Sequence, residues 1–243
     1  MARRSLQTTN DGGLEMFHFA MSSIAEIEAR GLEKHLIVPD QVYLERFEVG
    51  GKRYRESAAW RSFLRSELQK IGFTEGAVGA VGAVGAVGAV GAEGAECAIE
   101  YDCVGAPRLV GSLLHFSVSH TSTHVAIVVS DRQCAVDIEE LGRNFARVKR
   151  RYISGEEAQL ESGETPLLPL IWSAKETLYK ISGSEGLDLI NDLRIKQISP
   201  EGGKKSDHSG TIIGTIKPQQ RTIKMRYTTI DNHIAVYSNQ SIE

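Results

Sequence analysis

Residues 172–180 read Trp-Ser-Ala-Lys-Glu-Thr-Leu-Tyr-Lys, and this stretch decides the fold of the C-terminal half. Pro169 precedes it at a place suited to the first turn of a helix, and Gly183 follows it, where glycine commonly ends one. The sequence therefore predicts a long helix here. Because a helix stacks residue i over residue i+4, Glu176 and Lys180 lie in one column on it.

Residues 135–139 read Ala-Val-Asp-Ile-Glu and predict a strand. Successive side chains of a strand alternate between its two faces, so Asp137 and Glu139 share one face. The apolar run 125–129 and a polar turn at 130–133 come directly before this strand. We predict a hairpin in which the strand is the second member and presents an open acidic face.

Together the two segments indicate a site for phosphoryl-ester chemistry. Mg²⁺ prefers oxygen ligands and is usually held by one or two carboxylates together with phosphate oxygens. Asp137, Glu139 and Glu176 would supply such ligands, and Lys180 would lie beside a phosphate. Two simpler interpretations stay open. The strand pair can be a solvated face, and the helix pair can be a surface ion pair worth about 0.3–0.5 kcal/mol.

The chain is predicted to divide into an N-terminal half, 1–132, and a C-terminal half, 133–243. Helical patterns in the first half cover 24–34 and 56–71, and the second of these carries an amphipathic stripe. The stripe consists of Trp60, Phe63, Leu64, Leu68 and Ile71. Residues 76–96 repeat Gly-Ala-Val five times and Gly-Ala-Glu twice. The repeat lacks the lysine of a phosphate-cradling loop, so we interpret it as an insertion that carries no chemistry.

Strand patterns cover much of the remaining chain. They lie at 98–101 and 116–119 and, as antiparallel strands of the tail, at 194–199, 210–216, 221–227 and 234–238. The run 124–128, His-Val-Ala-Ile-Val, resembles the run 233–237, His-Ile-Ala-Val-Tyr. A match this short also arises by chance between buried strands, but it suggests two halves of like topology.

Composition excludes several classes of protein. The chain has 243 residues, is 41% hydrophobic and 24% charged, and carries a formal net charge of -3, which argues against generic nucleic-acid binding. No apolar run approaches the length of a membrane span. The three cysteines lack Cys-x-x-Cys spacing and predict free thiols in a reducing compartment; they are Cys97, Cys103 and Cys134. We therefore expect a cytoplasmic protein with no membrane partner.

Three segments in order along the chain resemble the 4′-phosphopantetheinyl transferases, in particular the larger surfactin-synthetase-activating type. The family pattern is a Ser-His at a strand end, a Gly-[Ile/Val]-Asp-[Ile/Val]-Glu strand and a Trp-Ser-x-Lys-Glu-x-x-x-Lys helix. Ser119-His120, residues 135–139 and residues 172–180 match these elements in the same order. Residues 152–157, Tyr-Ile-Ser-Gly-Glu-Glu, are similar to the element that links the last two. The resemblance runs from Trp60 to the C-terminus.

The resemblance implies a fold and an activity. The fold would be an α+β pseudo-dimer of two similar halves, each a small antiparallel sheet packed with a long helix. The activity would be transfer of the phosphopantetheine arm of coenzyme A to a serine of an apo carrier protein, with release of adenosine 3′,5′-bisphosphate. Asp137, Glu139 and Glu176 would hold Mg²⁺ against the diphosphate of coenzyme A, which is a substrate. Glu176 would also deprotonate the carrier serine, directly or through water, and Lys180 would act on the diphosphate or the leaving group.

The same resemblance assigns residues to the nucleotide of coenzyme A. His120 would meet the 3′-phosphate, Ser119 would lie nearby, and Arg61 matches a helix arginine close to the nucleotide. The family usually has glycine where Ala135 stands, and a lysine is common where Ala106 stands.

A basic run lies between the two signature segments. It consists of Arg143, Arg147, Lys149, Arg150 and Arg151. One interpretation is a solvated helix face, and the other is a docking surface for the acidic helix of a carrier protein, where complementary charge would speed encounter. We expect the protein to act as a monomer. Two other functions stay open, a Mg²⁺-dependent phosphodiesterase or nuclease and a non-catalytic carrier-protein-binding module.

Overall fold

A computed structural model describes the backbone of residues 7–8, 14–73, 98–201 and 208–242. The repeat at 76–96 and Cys97 lie outside the described residues. The chain forms two compact units, Met1–Asp131 and Arg132–Glu243.

Antiparallel pairing accounts for every sheet that the structure describes in the first unit. Its strands are β1 (Gln7–Thr8), β2 (Leu14–Glu15), β3 (Phe17–Ser23), β4 (Ile99–Tyr101), β5 (Pro107–Leu109), β6 (His115–His120) and β7 (His124–Ser130). A three-stranded sheet has the order β3-β7-β6, and β1 pairs with β2 and β4 with β5. The strands predicted near residues 100 and 117 are therefore confirmed.

One long helix supplies the core of the first unit. The helices are α1 (Ile24–Ala29), α2 (Val38–Leu44) and α3 (Lys52–Lys70), with a 3₁₀ turn at Leu32–His35. The predicted stripe on α3 is buried as expected, apart from a partly buried Ile71 beyond its end. It packs against inward-facing residues of the sheet, among them Val125, Ile127 and Val129. Such burial of apolar area is the main stabilising term of a small core.

The second unit is a five-stranded antiparallel sheet with one long helix. Its elements are β8 (Ala135–Glu140), α4 (Leu167–Ser182), β9 (Leu193–Glu201), β10 (Ser209–Ile216), β11 (Arg221–Ile230) and β12 (His233–Ile242). The strand order is β8-β12-β11-β10-β9. Short 3₁₀ turns occur at Phe145–Arg147, Lys149–Arg151, Glu157–Gln159 and Lys217–Gln219. The four predicted tail strands are confirmed.

Helix α4 forms where the sequence predicts it. Gly183 caps its C-terminus in the left-handed conformation, with φ of 61°, which glycine adopts without a steric cost. Ile171, Ala174 and Leu178 are fully buried against the sheet. Leu178 comes so close to Gly214 of β10 that a β-carbon there would lie 2.7 Å from its Cδ1. A glycine in the strand therefore lets the helix sit tightly on the sheet.

The fold is a mixed one, with α-helices packed on antiparallel sheets, as the α+β prediction requires. The predicted hairpin of 125–129 with 135–139 is wrong. Strand β7 pairs with β3 and β6, whereas β8 pairs with β12. A four-residue polar turn between two apolar runs is typical of a hairpin, but here the chain passes between units at Asp131.

Candidate functional site

Asp137 and Glu139 of β8 face helix α4 and not open solvent. Ala135 belongs to the apolar core under α4, and the strand alternation places Asp137 and Glu139 on the same side. Asp137 is buried, and Glu139 is partly buried. The predicted open acidic face is therefore wrong, because α4 packs over it and brings its own polar side chains to the carboxylates.

Lys180 joins the helix to the strand at Asp137. Its ammonium group donates to Asp137 Oδ1 at 3.0 Å and to the carbonyl oxygen of Val136 at 2.8 Å. The predicted i, i+4 surface pair of Glu176 and Lys180 is thus not the main contact of the lysine. Instead, Lys180 pairs with a carboxylate 43 residues earlier in the chain.

Glu139 is held by two donors. The indole Nε1 of Trp172 donates to Glu139 Oε1 at 2.6 Å, and Arg143 Nη1 lies 2.8 Å from each carboxylate oxygen. The guanidinium of Arg143 also lies 5.4 Å from the ring centre of Trp172. Sequence reasoning missed both donors as partners of Glu139, because neither is a metal ligand or an acid.

The three carboxylates interact electrostatically. Burial raises the pKa of Glu176, and the nearby charges of Asp137 and Glu139 raise it further, while Lys180 opposes them. Burial and the charge of Asp137 likewise raise the pKa of Glu139, against the effect of Arg143. Adjacent negative charge disfavours ionisation, so a cation placed among these groups would relieve their repulsion.

The donor chemistry of this group suits Mg²⁺, which takes carboxylate oxygens. Within the described residues, however, no three His, Cys, Asp or Glu side chains are already gathered as a metal-binding cluster. Two protein cations neutralise part of the negative charge instead, because Lys180 pairs with Asp137 and Arg143 pairs with Glu139. Asp137, Glu139 and Glu176 would hold the ion once these contacts rearrange.

A second ionic network ties α4 to the rest of its unit, and the sequence analysis missed it. Lys175 is fully buried, and its ammonium donates to Glu157 Oε2 at 2.8 Å and to the Leu189 carbonyl at 2.6 Å. Glu157 also accepts from the backbone N–H of Ser154 and of Ile195. The sequence carried a signal for this pair, because Lys175 lies four residues after Ile171 and three before Leu178 on one helix face. A charged residue occupies such a buried position only when it is paired.

The same contacts explain the Tyr-Ile-Ser-Gly-Glu-Glu segment. Ser154 and Glu157 form a capping box, since Ser154 Oγ also accepts from the Glu157 N–H at 3.2 Å. It opens a single 3₁₀ turn at Glu157–Gln159. Tyr152 packs edge-on against Trp172 with the ring centres 5.0 Å apart, so the segment positions the start of the candidate site.

Ser119 and His120 lie at the end of β6, as predicted. Ser119 is partly buried, and His120 is exposed at the tight turn into β7. Ala106 and Arg108 are exposed near β5, where Arg108 lies opposite Glu100 on β4. The proposed contacts of Ser119 and His120 with coenzyme A stay predictions.

Arg61 lies in a buried network of the first unit. Its side chain is 1% exposed, and it donates to Asp40 Oδ1 at 2.7 Å and to the Tyr101 hydroxyl at 3.2 Å. Arg65 donates to the other oxygen of Asp40 at 2.9 Å. The guanidinium of Arg61 also stacks on Tyr43, 3.9 Å from its ring centre. These contacts give Arg61 a structural role, and its contact with a nucleotide stays a prediction.

The basic run is not an α-helix. Four of its residues fall in the two 3₁₀ turns Phe145–Arg147 and Lys149–Arg151, which buried Phe145 and Tyr152 anchor, and Arg143 precedes both turns. All five basic side chains are exposed. The interpretation as a solvated helix face is therefore wrong about the helix, whereas the exposure agrees with it.

The two cysteines that the structure describes are free thiols. Cys103 is exposed, and Cys134 is buried, which raises the pKa of its thiol well above the ordinary range.

In the part of the chain that is described, no helix has the length and apolar character of a membrane span.

No protein-family model matches this sequence, and no curated protein matches it.

Proposed function

We propose that this protein transfers the 4′-phosphopantetheine arm of coenzyme A to a serine of an apo carrier protein in a Mg²⁺-dependent reaction. The observation that carries the proposal is the convergence of Asp137, Glu139 and Lys180 between β8 and α4, with Glu176 in their electrostatic field. These are the residues that the family resemblance assigns to the site.

Asp137, Glu139 and Glu176 would hold the metal. Bound there, Mg²⁺ would supply charge neutralisation for the diphosphate of coenzyme A. Lys180 already lies 3.0 Å from Asp137, with 31% of its side chain exposed, so its ammonium can also reach a phosphate oxygen. Phosphoryl transfer depends mainly on positioning and on such charge neutralisation.

Glu176 would act as the base. The carrier serine oxygen forms a bond to the phosphorus of the pantetheine phosphate, the bond from that phosphorus to the bridging oxygen breaks, and adenosine 3′,5′-bisphosphate leaves. The serine proton passes to Glu176, directly or through water. Its raised pKa makes Glu176 a better proton acceptor than an ordinary carboxylate.

The nucleotide contacts are part of the proposal. His120 and Ser119 at the end of β6 would contact the 3′-phosphate, and Arg61 would contribute positive charge nearby. The exposure of His120 suits a phosphate contact, whereas Arg61 would act from within its pair with Asp40.

We also propose that the two units are a pseudo-dimer of like topology. In each unit the first long strand pairs with the last strand, the last pairs with the strand before it, and one long helix follows the first strand in sequence. The orders β3-β7-β6 and β8-β12-β11 correspond under this comparison. The similar runs at 124–128 and 233–237 fall in the corresponding strands β7 and β12.

The carrier protein would dock through its acidic helix on the exposed basic residues of 143–151. Opposite charge on two partners speeds their encounter and sets their orientation. The net charge of -3 supports a role without nucleic acid. Under the proposal the protein works as a cytoplasmic monomer with coenzyme A and one carrier protein.

Two other functions would use part of the same site. A Mg²⁺-dependent phosphodiesterase or nuclease would use the three carboxylates but would transfer no group to a protein. A non-catalytic carrier-binding module would use the basic run alone. The convergence of Lys180 and the carboxylates favours catalysis, because binding a carrier does not require it.

The test is to incubate the protein with coenzyme A, Mg²⁺ and a panel of apo carrier proteins, and to weigh the intact carriers. A mass gain equal to phosphopantetheine on one carrier serine is expected. Glu176→Gln should lose the gain, and Glu185→Gln, an exposed site just past α4, should keep it. A wild-type protein that modifies no carrier, or that modifies one in excess EDTA, would refute the proposal.

A further inference from the structure

Arg143 belongs to two features at once. It is the first residue of the basic run, and its side chain is 51% exposed. The same guanidinium lies 2.8 Å from both oxygens of Glu139, a proposed metal ligand. No other residue of the run makes a contact of this kind in the structure as described.

The contacts on Glu139 conflict with metal binding. Glu139 Oε1 accepts from Trp172 and Arg143, and Oε2 accepts from Arg143. A divalent cation bound to Glu139 would lie next to the guanidinium, and like charges at such short range repel strongly in a partly buried site. Arg143 and the cation therefore compete for one carboxylate.

The side chain of Arg143 can leave Glu139 for a partner at the surface. About half of it is exposed to solvent, and exposed Gly142 precedes it in the chain. Four more exposed basic side chains follow within eight residues, at Arg147, Lys149, Arg150 and Arg151. A partner that brings carboxylates to this run would offer Arg143 a second anion to pair with.

We propose that Arg143 is an exchangeable counter-ion that couples carrier docking to metal binding. Without a partner, Arg143 neutralises Glu139. When an acidic carrier helix docks on the basic run, its carboxylates take Arg143, and Glu139 becomes free to bind Mg²⁺. Coupling between two sites is reciprocal, so Mg²⁺ must strengthen carrier docking by the same factor. The inference rests on the proposed function and adds to it a coupling between carrier docking and metal binding.

The first experiment needs no partner. Mg²⁺ is titrated into the full chain, without coenzyme A, by calorimetry and by the fluorescence of Trp172, which contacts Glu139. Arg143→Gln should bind Mg²⁺ about fivefold or more tightly than the wild type, the lower end of typical coupling factors. Arg143→Lys should fall between, because it keeps a positive charge but loses the guanidinium that lies 5.4 Å from the ring centre of Trp172. Arg150→Gln, which lies in the run but not on Glu139, should match the wild type.

The second experiment measures the coupling itself. The probe is a fatty-acid acyl carrier protein with its acceptor serine replaced by alanine, and its affinity is measured in Mg²⁺ and in EDTA. Any direct effect of Mg²⁺ on the probe is common to all variants. Mg²⁺ should tighten binding to the wild type more than to Arg143→Gln. Arg150→Gln should weaken binding in both conditions by a similar factor.

The outcomes separate this inference from the function on which it rests. If the wild type modifies carriers but Arg143→Gln has wild-type Mg²⁺ affinity and wild-type coupling, the exchange is refuted and the transferase stands. If Arg143→Gln binds Mg²⁺ more tightly and loses the coupling, the exchange is supported. Loss of carrier modification by the wild type refutes the transferase in its own assay.

Discussion

Both units join their first long strand to their long helix through a pair of polar side chains, but the two pairs differ in kind. In the first unit, His18 of β3 lies 2.8 Å from Glu67 of α3, which also pairs with Lys70. In the second unit, Lys180 of α4 lies 3.0 Å from Asp137 of β8. The side chains of His18 and Glu67 are 5% and 1% exposed, whereas Lys180 is 31% exposed.

The two pairs also differ in the balance of charge around them. The strand registers against β7 and β12 place Ala20 and Ser22 of β3 where β8 has Asp137 and Glu139. The first unit therefore has one carboxylate opposite Lys70, with His18 as a further hydrogen-bond partner, and the second has three carboxylates against Lys180 and Arg143. A closed and balanced pair stabilises a core, whereas an open group with excess negative charge is suited to bind a cation.

The largest expected effect is a difference in activity between variants of the two helix carboxylates, Glu176 and Glu67. Glu176→Gln should lower kcat for transfer by about 10²–10⁴-fold, the usual contribution of a general base. Glu67→Gln should leave kcat of the folded protein within about twofold, because its role is in the core of the other unit. Steady-state kinetics with coenzyme A and a modified carrier measure both. Equal losses in the two variants would remove the distinction between the pairs.

A second effect concerns the buried charges of the first unit. Asp40→Ala leaves Arg61 and Arg65 buried without their carboxylate, and breaking a buried pair costs roughly 3–5 kcal/mol. Urea unfolding of the variant measures this cost. Glu45→Gln, at an exposed position just after α2, is the matched control and should change stability by less than about 0.5 kcal/mol. A similar small loss for Asp40→Ala would show that the network contributes little.

The smallest effect is a difference in pH dependence. Burial raises the pKa of Glu67, but hydrogen bonds from His18 and Lys70 outweigh it, and the pKa lies below the ordinary 4.5. The stability contributed by ionised Glu67 is therefore present above pH 4.5 and is lost as pH falls. The pKa of Glu176 is raised, so its contribution is present below pH 4.5 and is lost as pH rises through its folded pKa.

Urea unfolding in EDTA, measured from acid to neutral pH, tests whether the stability contributions of Glu67 and Glu176 change with pH in opposite directions. Glu67→Gln should be more destabilising at neutral pH than in acid. Glu176→Gln should approach the wild type in acid and gain stability relative to it as pH rises. Parallel pH profiles for the two variants would contradict the contrast between a balanced pair and a group with excess negative charge.

Much of the second unit could be predicted from local pattern. Pro169 and Gly183 predicted the bounds of α4, and the alternation of apolar and polar residues predicted the tail strands. Both patterns depend on residues close in sequence. The partner of β8 could not be found in this way, since β12 lies about a hundred residues later in the chain. The acidic face was consequently expected to be open.

The charged contacts were the least predictable part of the site. Nothing in the sequence around Asp40 indicates burial, because its partners Arg61 and Arg65 lie 21 and 25 residues away. Arg143 contacts Glu139 from the segment between β8 and the 3₁₀ turn Phe145–Arg147, where one interpretation of the sequence began a helix face. The residue types of the site could be predicted, but their pairing follows from tertiary packing.

The most direct test of the account is the number of divalent cations that the chain binds and where they bind. Mg²⁺, or Mn²⁺ followed by electron paramagnetic resonance, is titrated into the full chain with and without coenzyme A. The account predicts one saturable site that Asp137→Asn abolishes and Glu67→Gln retains. A wild-type chain with no saturable site in either condition, or a site that survives Asp137→Asn, would contradict it.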